Sequence, residues 1–198
     1  MLQKIILASG SPRRREIFTK LGINFQYVTS EVEEKFDENE NVEDQVMKIA
    51  AMKAYKVASI YDEAFIIGAD TVVYLENQII GKPKDAYDAQ RILRLLSGKM
   101  HEVITGVAVV NKKNGICERF FQKTDVYFKK LNDEIINWYI DSEEPLDKAG
   151  AYGIQGKGSL LVEKIHGDYD NVVGLPAGKL LETFAKLGIR PYGGFHEL

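Results

Sequence analysis

The chain is poor in the residues that build covalent or metal scaffolds. Among its 198 residues there is one cysteine, Cys117, which excludes an intramolecular disulfide and any cysteine-rich metal site and suits a reducing compartment. No stretch approaches the roughly 20 apolar residues that span a bilayer. The first apolar run, residues 5–8, is too short for a signal-peptide core, so the expectation is a cytoplasmic protein without a membrane partner. Neither sign of charge dominates: 26 Lys and Arg stand against 29 Asp and Glu, for a net charge of −3. No global field therefore draws nucleic acid. Three histidines, His101, His166 and His196, are scattered without metal-ligand spacing, and no serine–histidine–acid order is evident. What is present, 45% hydrophobic and 28% charged residues, is ordinary for a globular chain. Its length suffices to bury a core as one domain or two small lobes.

Against that plain background one segment stands out. Ser9-Gly10-Ser11-Pro12-Arg13-Arg14-Arg15 follows the apolar run Ile5-Ile6-Leu7-Ala8 and reads as strand, tight turn and helix start. Ser11 suits the N-cap and Pro12 the first helical position. Three arginines in the first turn oppose the helix dipole, and Arg14 takes the place of the usual capping-box acid. A docked anion would reconcile these features, because backbone N–H groups, hydroxyls and guanidinium forks would converge on its oxygens. A solvated basic helix start is the alternative. On a mildly acidic body, a local basic turn favours a small anionic ligand over a polyanion.

Periodicity predicts strand 4–8, helix 12–21, strand 25–29, an acidic loop around 31–42 and helix 43–60. Strands 64–68, 71–75 and 78–81 precede helix 85–96, then strands 102–111 and 116–129 flank a Lys112-Lys113-Asn114-Gly115 hairpin signal. Helix 132–141, a glycine-rich loop, strand 159–165 and helix 176–187 complete the chain. The pattern is that of an α/β protein with a mixed sheet whose antiparallel part lies in the middle. Trp138, Tyr139 and Ile140 read as one packed helix face, and Cys117 as apolar filler in a strand.

Further residues could carry chemistry. On helix 43–60, Val46, Ile49, Ala50, Val57 and Ile60 form one stripe with Lys53 at its centre. A lysine there requires an anion or carboxylate partner, unless its stem packs and its ammonium snorkels to water. Asp70 sits between two apolar strand runs, where a buried carboxylate needs pairing, hydrogen bonds or a metal. It could hold a divalent ion or take a proton from water, or it could be an ordinary turn aspartate. Lys82, fixed by Pro83, could bind phosphate as a point charge or be solvated. The acidic run from Glu31 to Glu38 offers oxygen ligands for a hard cation or simply a solvated face. In the glycine loop 150–158, Gln155 carries a donor and an acceptor side by side, matching the edge of uracil or thymine, although a mobile loop with a solvated amide is the plainer account.

Taken in order, Ser9-Gly10-Ser11-Pro12-Arg13-Arg14, Lys53-Ala54, Gly68-Ala69-Asp70-Thr71, Gly81-Lys82-Pro83, His101-Glu102-Val103-Ile104-Thr105-Gly106, Ala149-Gly150-Ala151-Tyr152-Gly153-Ile154-Gln155-Gly156 and Gly174-Leu175-Pro176 resemble the motifs of the Maf family of nucleoside triphosphate pyrophosphatases, once described as septum-formation inhibitors. The resemblance runs over nearly the whole chain. It implies a single Maf-like domain over residues 1–198 with a mixed, strongly bent sheet flanked by helices and two lobes around a central cleft, similar to the inosine-triphosphate pyrophosphatases. It implies hydrolysis of a nucleoside triphosphate to monophosphate and pyrophosphate with Mg²⁺ or Mn²⁺, often in a homodimer. Carried onto matching positions, Ser11, Arg13, Arg14, Lys53 and Lys82 would hold the triphosphate. Asp70 would be the metal-associated base and Glu34 its metal partner, with Glu31 and Glu33 as competitors. Thr71 and Gln155 match the branch that prefers dTTP and UTP over the branch acting on 7-methyl-GTP. Arg15, rotated onward around the helix, is expected to be solvated. The alternatives are a pyrophosphatase for another nucleotide and a non-enzymatic regulator of cell division.

Overall fold

Short apolar runs set against helical periodicity build alternating strands and helices here, as expected of an α/β chain. The computed structural model describes residues 3–37 and 39–190; Glu38, His196 and the 193–198 tail lie outside them. The strands are β1 (Ile5–Leu7), β2 (Gln26–Tyr27), β3 (Phe65–Leu75), β4 (Gln78–Ile80), β5 (Met100–Asn111), β6 (Ile116–Phe128) and β7 (Val162–His166). The helices are α1 (Pro12–Lys20), α2 (Val42–Ala58), α3 (Ala86–Leu96), α4 (Asp133–Ile140), α5 (Tyr169–Val173) and α6 (Ala177–Lys186).

The seven strands form one mixed sheet in the order β2-β1-β3-β5-β6-β7, with β4 added to β3. β1 runs parallel to both β2 and β3, whereas β4 on β3 and β7 on β6 are antiparallel. Two predicted elements need correction. The runs 64–68 and 71–75 are one continuous strand, β3, because the carboxylate between them is accommodated in place and forces no turn. The expected strand 159–165 starts only at Val162; Gly156–Leu161 coil as a 3-10 turn. The short helix α5 was not expected at all.

Two compact units divide the chain. One comprises Met1–Asp70, Thr105–Phe121 and Gly174–Leu198, the other Thr71–Ile104 and Gln122–Val173. The core of the first gathers Ile6, Ala8, Ile66, Ala108 and Val110 under Ala50, Ala54 and Val57 of α2. Here α2 lies unusually close to the sheet. A Cβ added at Gly68 of β3 would stand 2.1 Å from the Ala50 carbonyl oxygen, and one at Gly106 of β5 would stand 2.4 Å from the Val46 carbonyl carbon. Two glycines thus form a seat for the 46/50 ridge of the helix. Ile60, expected on the buried stripe, lies past the helix end and is 70% exposed.

The second unit has its own core, built around Leu93, Leu96, Phe128, Ile136, Tyr139, Tyr152 and Leu161. Inside it His101 Nε2 lies 2.8 Å from the Tyr152 hydroxyl, and the His101 ring meets those of Phe128 and Tyr152 edge-on. Burial pushes the imidazole pKa down to about 4 from an ordinary value of 6.5. The unfolded chain therefore binds this proton first as pH falls. The stability contributed by neutral His101 is intact above the unfolded value and is lost between about pH 6.5 and pH 4, by about 3 kcal/mol in all. His101→Gln should flatten that part of the acid dependence; denaturant unfolding at pH 7.5 and 4.5 measures it, and an unchanged slope would remove His101 as the cause.

Candidate active site

In the first unit β1 leads straight into the basic turn. Ala8 N–H still donates to the Ile67 carbonyl at 2.8 Å, so the 9–11 turn leaves β1 beside residues 68–70 of the parallel neighbour β3. Ligands of open α/β sheets favour this carboxyl end of parallel strands. Ser11 occupies the N-cap of α1, but its side chain makes no cap hydrogen bond. Ser9 instead is buried, and its Oγ accepts from the Ser11 N–H at 3.2 Å and from Arg14 Nη1 at 3.3 Å. Arg14 Nε donates to the Gly174 carbonyl at 2.8 Å. Its guanidinium thus ties the turn to the 174–176 segment while standing in the field of Asp70, Glu34 and the half-buried Arg13. Arg15 is not solvated as expected. It stacks over the Tyr27 ring at 4.5 Å, because edge strand β2 places that aromatic within reach.

The glycine seat explains how Lys53 meets Asp70. Successive strand side chains alternate between faces, so Ile66, Gly68 and Asp70 share the face that carries α2. The close approach at Gly68 brings the next turn of the helix down onto Asp70. Lys53 Nζ donates to Asp70 Oδ1 at 2.7 Å and pairs with Glu34 Oε1 at 2.7 Å. Lys53 and Asp70 are 8% and 5% exposed, which excludes both the snorkelling lysine and the turn aspartate. Burial pushes the Asp70 carboxyl above its ordinary range, opposed by Lys53 and Arg14 and reinforced by Glu34. Its second oxygen, Oδ2, is buried without a hydrogen-bond partner among the described residues.

Of the three competing acids, the fold brings only Glu34 to this cluster. The Glu33 carboxylate pairs with Lys35 on the surface at 2.8 Å. Glu31 contributes its backbone carbonyl to the Lys56 ammonium. The acidic loop is tied down by buried Gln45, whose amide accepts from the Asp37 N–H at 2.6 Å and donates to the Asp37 and Glu40 carbonyls at 2.8 and 2.9 Å. Gln45 escaped sequence reasoning because it reads as one more polar helix residue.

Among the described residues no group of three or more His, Cys, Asp or Glu side chains could by itself cage a metal ion. Asp70 and Glu34 nevertheless fit a hard cation. One orphaned buried carboxylate oxygen and a half-exposed partner carboxylate suit Mg²⁺, which characteristically takes one or two carboxylates and completes its shell with water and substrate phosphates.

The second unit holds Thr71, Lys82 and Gln155. Thr71 is half-buried on β3. Exposed Lys82 follows Gly81, whose carbonyl accepts from the Gly150 N–H at 3.0 Å, linking this turn to the glycine loop. That loop is no mobile tether. Tyr139, fully buried, accepts from the Gly153 N–H through its hydroxyl at 3.1 Å, and Glu144 accepts from two further loop N–H groups. Gln155 is half-buried, and among the described residues its side-chain amide has no hydrogen-bond partner. Trp138 does not share the packed face of Tyr139: it is 42% exposed beneath the Lys157 ammonium. Cys117 is exposed too, beside Tyr55; its strand position alternates outward.

Comparison with known proteins adds to this geometry. The Maf-like protein family model matches residues 4–187. A dTTP/UTP pyrophosphatase of Bacillus cytotoxicus is 49% identical over 180 residues, covering 91% of this chain and 93% of that protein. A dTTP/UTP pyrophosphatase of Bacillus cereus is 47% identical over 188 residues, covering 95% and 97%.

Proposed function

The chain belongs to the Maf family, and from that premise we propose that it hydrolyses dTTP and UTP to the monophosphate and pyrophosphate. The observation that carries the chemistry is the buried Asp70 carboxylate. One oxygen is held by Lys53 and the other has no partner among the described residues. Near-half identity with dTTP/UTP pyrophosphatases over almost the full length supports the choice of substrate.

In this mechanism the Asp70 carboxylate accepts a proton from a water molecule as that water attacks the α-phosphorus. The new P–O bond forms while the bond from the α-phosphorus to the bridging oxygen breaks, and pyrophosphate departs. Lys53 orients the base by gripping Oδ1, and burial raises its proton affinity. Such a reaction requires little covalent chemistry, so charge placement carries most of it. Arg13, Arg14, Lys82, Thr71 and the Ser11 hydroxyl, which makes no helix-capping hydrogen bond, are assigned to substrate binding, and Gln155 to the pyrimidine edge. Asp70 and Glu34 would hold Mg²⁺ or Mn²⁺, whose bound charge would offset that of the triphosphate. The family resemblance supports a homodimer. No helix among the described residues is long and apolar enough to cross a membrane, and the low cysteine content supports a cytoplasmic enzyme.

A nucleotide screen with phosphate and pyrophosphate assayed separately tests this reading. The expected result is pyrophosphate release from dTTP and UTP, well above that from CTP and purine triphosphates. Preference for 7-methyl-GTP would overturn the substrate assignment, and binding without turnover would overturn the enzyme.

A further inference from the structure

We propose that Glu144 is a specificity-determining positioning residue, which sets the base preference by holding the loop that displays Gln155. The inference rests on the reading of this chain as a dTTP/UTP pyrophosphatase whose Gln155 meets the base. Glu144 Oε1 accepts from the Lys157 N–H at 3.2 Å, and Oε2 from the Gly158 N–H at 3.4 Å. The same carboxylate fills the space beside Gly156. A Cβ added there would lie 3.0 and 3.1 Å from its two oxygens, on a residue with φ +61°. At the loop's other end the Tyr139 hydroxyl accepts from the Gly153 N–H. The ends also touch each other, since a Cβ at Gly158 would stand 2.2 Å from the Gly153 carbonyl oxygen.

The loop is therefore pinched at 153 and 158; Ile154 is buried, and residues 155–157 are the ones it presents. On the far side of Gln155 the Glu144 carboxylate binds the Lys157 and Gly158 N–H groups, and the Ser159 hydroxyl donates to the Gly156 carbonyl at 2.7 Å. Because the Gln155 amide has no hydrogen-bond partner among the described residues, the backbone beneath it governs where it sits. Charge-assisted hydrogen bonds to a carboxylate are stronger than neutral ones, which suits a loop that must hold one position. Reading a carbonyl beside an N–H requires two hydrogen bonds at once, so a small displacement of the amide degrades both. None of these contacts involves the Asp70 cluster, so losing them should alter base recognition and leave turnover intact.

The test measures kcat and KM for UTP and CTP in wild type, Gln155→Ala, Glu144→Ala, Glu144→Gln, Gly156→Ala and the Glu144→Ala/Gln155→Ala double variant. Glu144→Ala should lower the UTP-over-CTP ratio of kcat/KM about tenfold, the scale of a lost hydrogen-bonded readout. The loss should appear as a raised KM for UTP, with kcat within about twofold of wild type. Glu144→Gln should lose less of the ratio than Glu144→Ala and more than none, because its amide keeps one acceptor for the loop and turns a donor toward the second N–H. The double variant should discriminate no worse than Gln155→Ala, since both act through one amide. Gly156→Ala displaces the same loop from the opposite side and carries the test if Glu144→Ala does not fold. Loss of the ratio in Gln155→Ala but not in Glu144→Ala or Gly156→Ala overturns the role of Glu144, as do losses that multiply in the double variant. An unchanged ratio in Gln155→Ala instead overturns the base-reading role of Gln155, and this inference with it.

Discussion

Asp70→Asn is expected to reduce kcat for UTP by at least about 10²-fold, the scale of a positioned general base, while leaving the protein at least as stable as wild type. The two halves of this expectation share one cause. Asparagine matches aspartate in size, and its oxygen can still accept from Lys53, so the 2.7 Å contact survives in kind. What disappears is the negative charge and with it the proposed proton acceptor. Burial holds the Asp70 pKa above its ordinary value despite Lys53 and Arg14. A carboxylate with a raised folded-state pKa contributes stability below its unfolded value and loses it as pH rises through the folded one. At neutral pH, ionised Asp70 therefore costs stability, and the neutral amide removes that cost; Lys53 keeps Glu34 as its counter-ion. Kinetics and thermal unfolding of one preparation check both halves. Turnover close to wild type would remove Asp70 as the base, and a clearly lower melting temperature would show that its charge supports the fold.

Gly68→Ala should have the largest effect on stability, a loss above about 4 kcal/mol. An alanine in a strand interior would ordinarily gain about 0.5–1 kcal/mol over glycine by restricting the unfolded chain. At this site the new methyl carbon would sit 2.1 Å from the Ala50 carbonyl oxygen and 2.9 Å from the Ala54 nitrogen. Both obstacles are helix backbone, which cannot rotate away as a side-chain tip would. Either α2 lifts from the sheet, opening the packing of Ala50, Ala54 and Ile66, or the variant fails to fold. Because the same helix delivers Lys53 to Asp70, any folded fraction should also lose activity. Denaturant unfolding measures the effect, and a change within about 1 kcal/mol would show that the seat is not needed.

How far each feature could be read in advance follows from the range of the forces that produce it. Lys53 stood out because an apolar stripe with one central cation is a local contradiction, and the contradiction pointed to a paired anion. The identity of that anion was out of reach, since Asp70 lies 17 positions away in sequence and meets Lys53 only because Gly68 lets α2 descend. The arginines of α1 shared one sequence signal yet have different surroundings: Arg14 binds Ser9 and Gly174, and Arg15 stacks on Tyr27. Choosing Glu34 among neighbouring acids required the loop path that Gln45 imposes. Glu144 offered no signal at all, because a carboxylate that binds backbone N–H groups looks in sequence like any solvated acid.

The chain's own residues determined the class of architecture, the strand–turn–helix that opens it, the excess positive charge of that turn and the motif set of the Maf family. Each depends on local periodicity, on charge against a helix dipole, or on residues adjacent in the chain. Tertiary structure alone decided that Asp70 lies inside a continuous strand with one oxygen gripped and one unpartnered, that Glu34 and not its neighbours shares Lys53, and that Glu144 and Tyr139 hold the Gln155 loop. These are contacts between distant segments, settled by how closely backbones can approach. Two glycine hydrogens determine that approach at the Lys53–Asp70 pair, and no pattern along the chain records it.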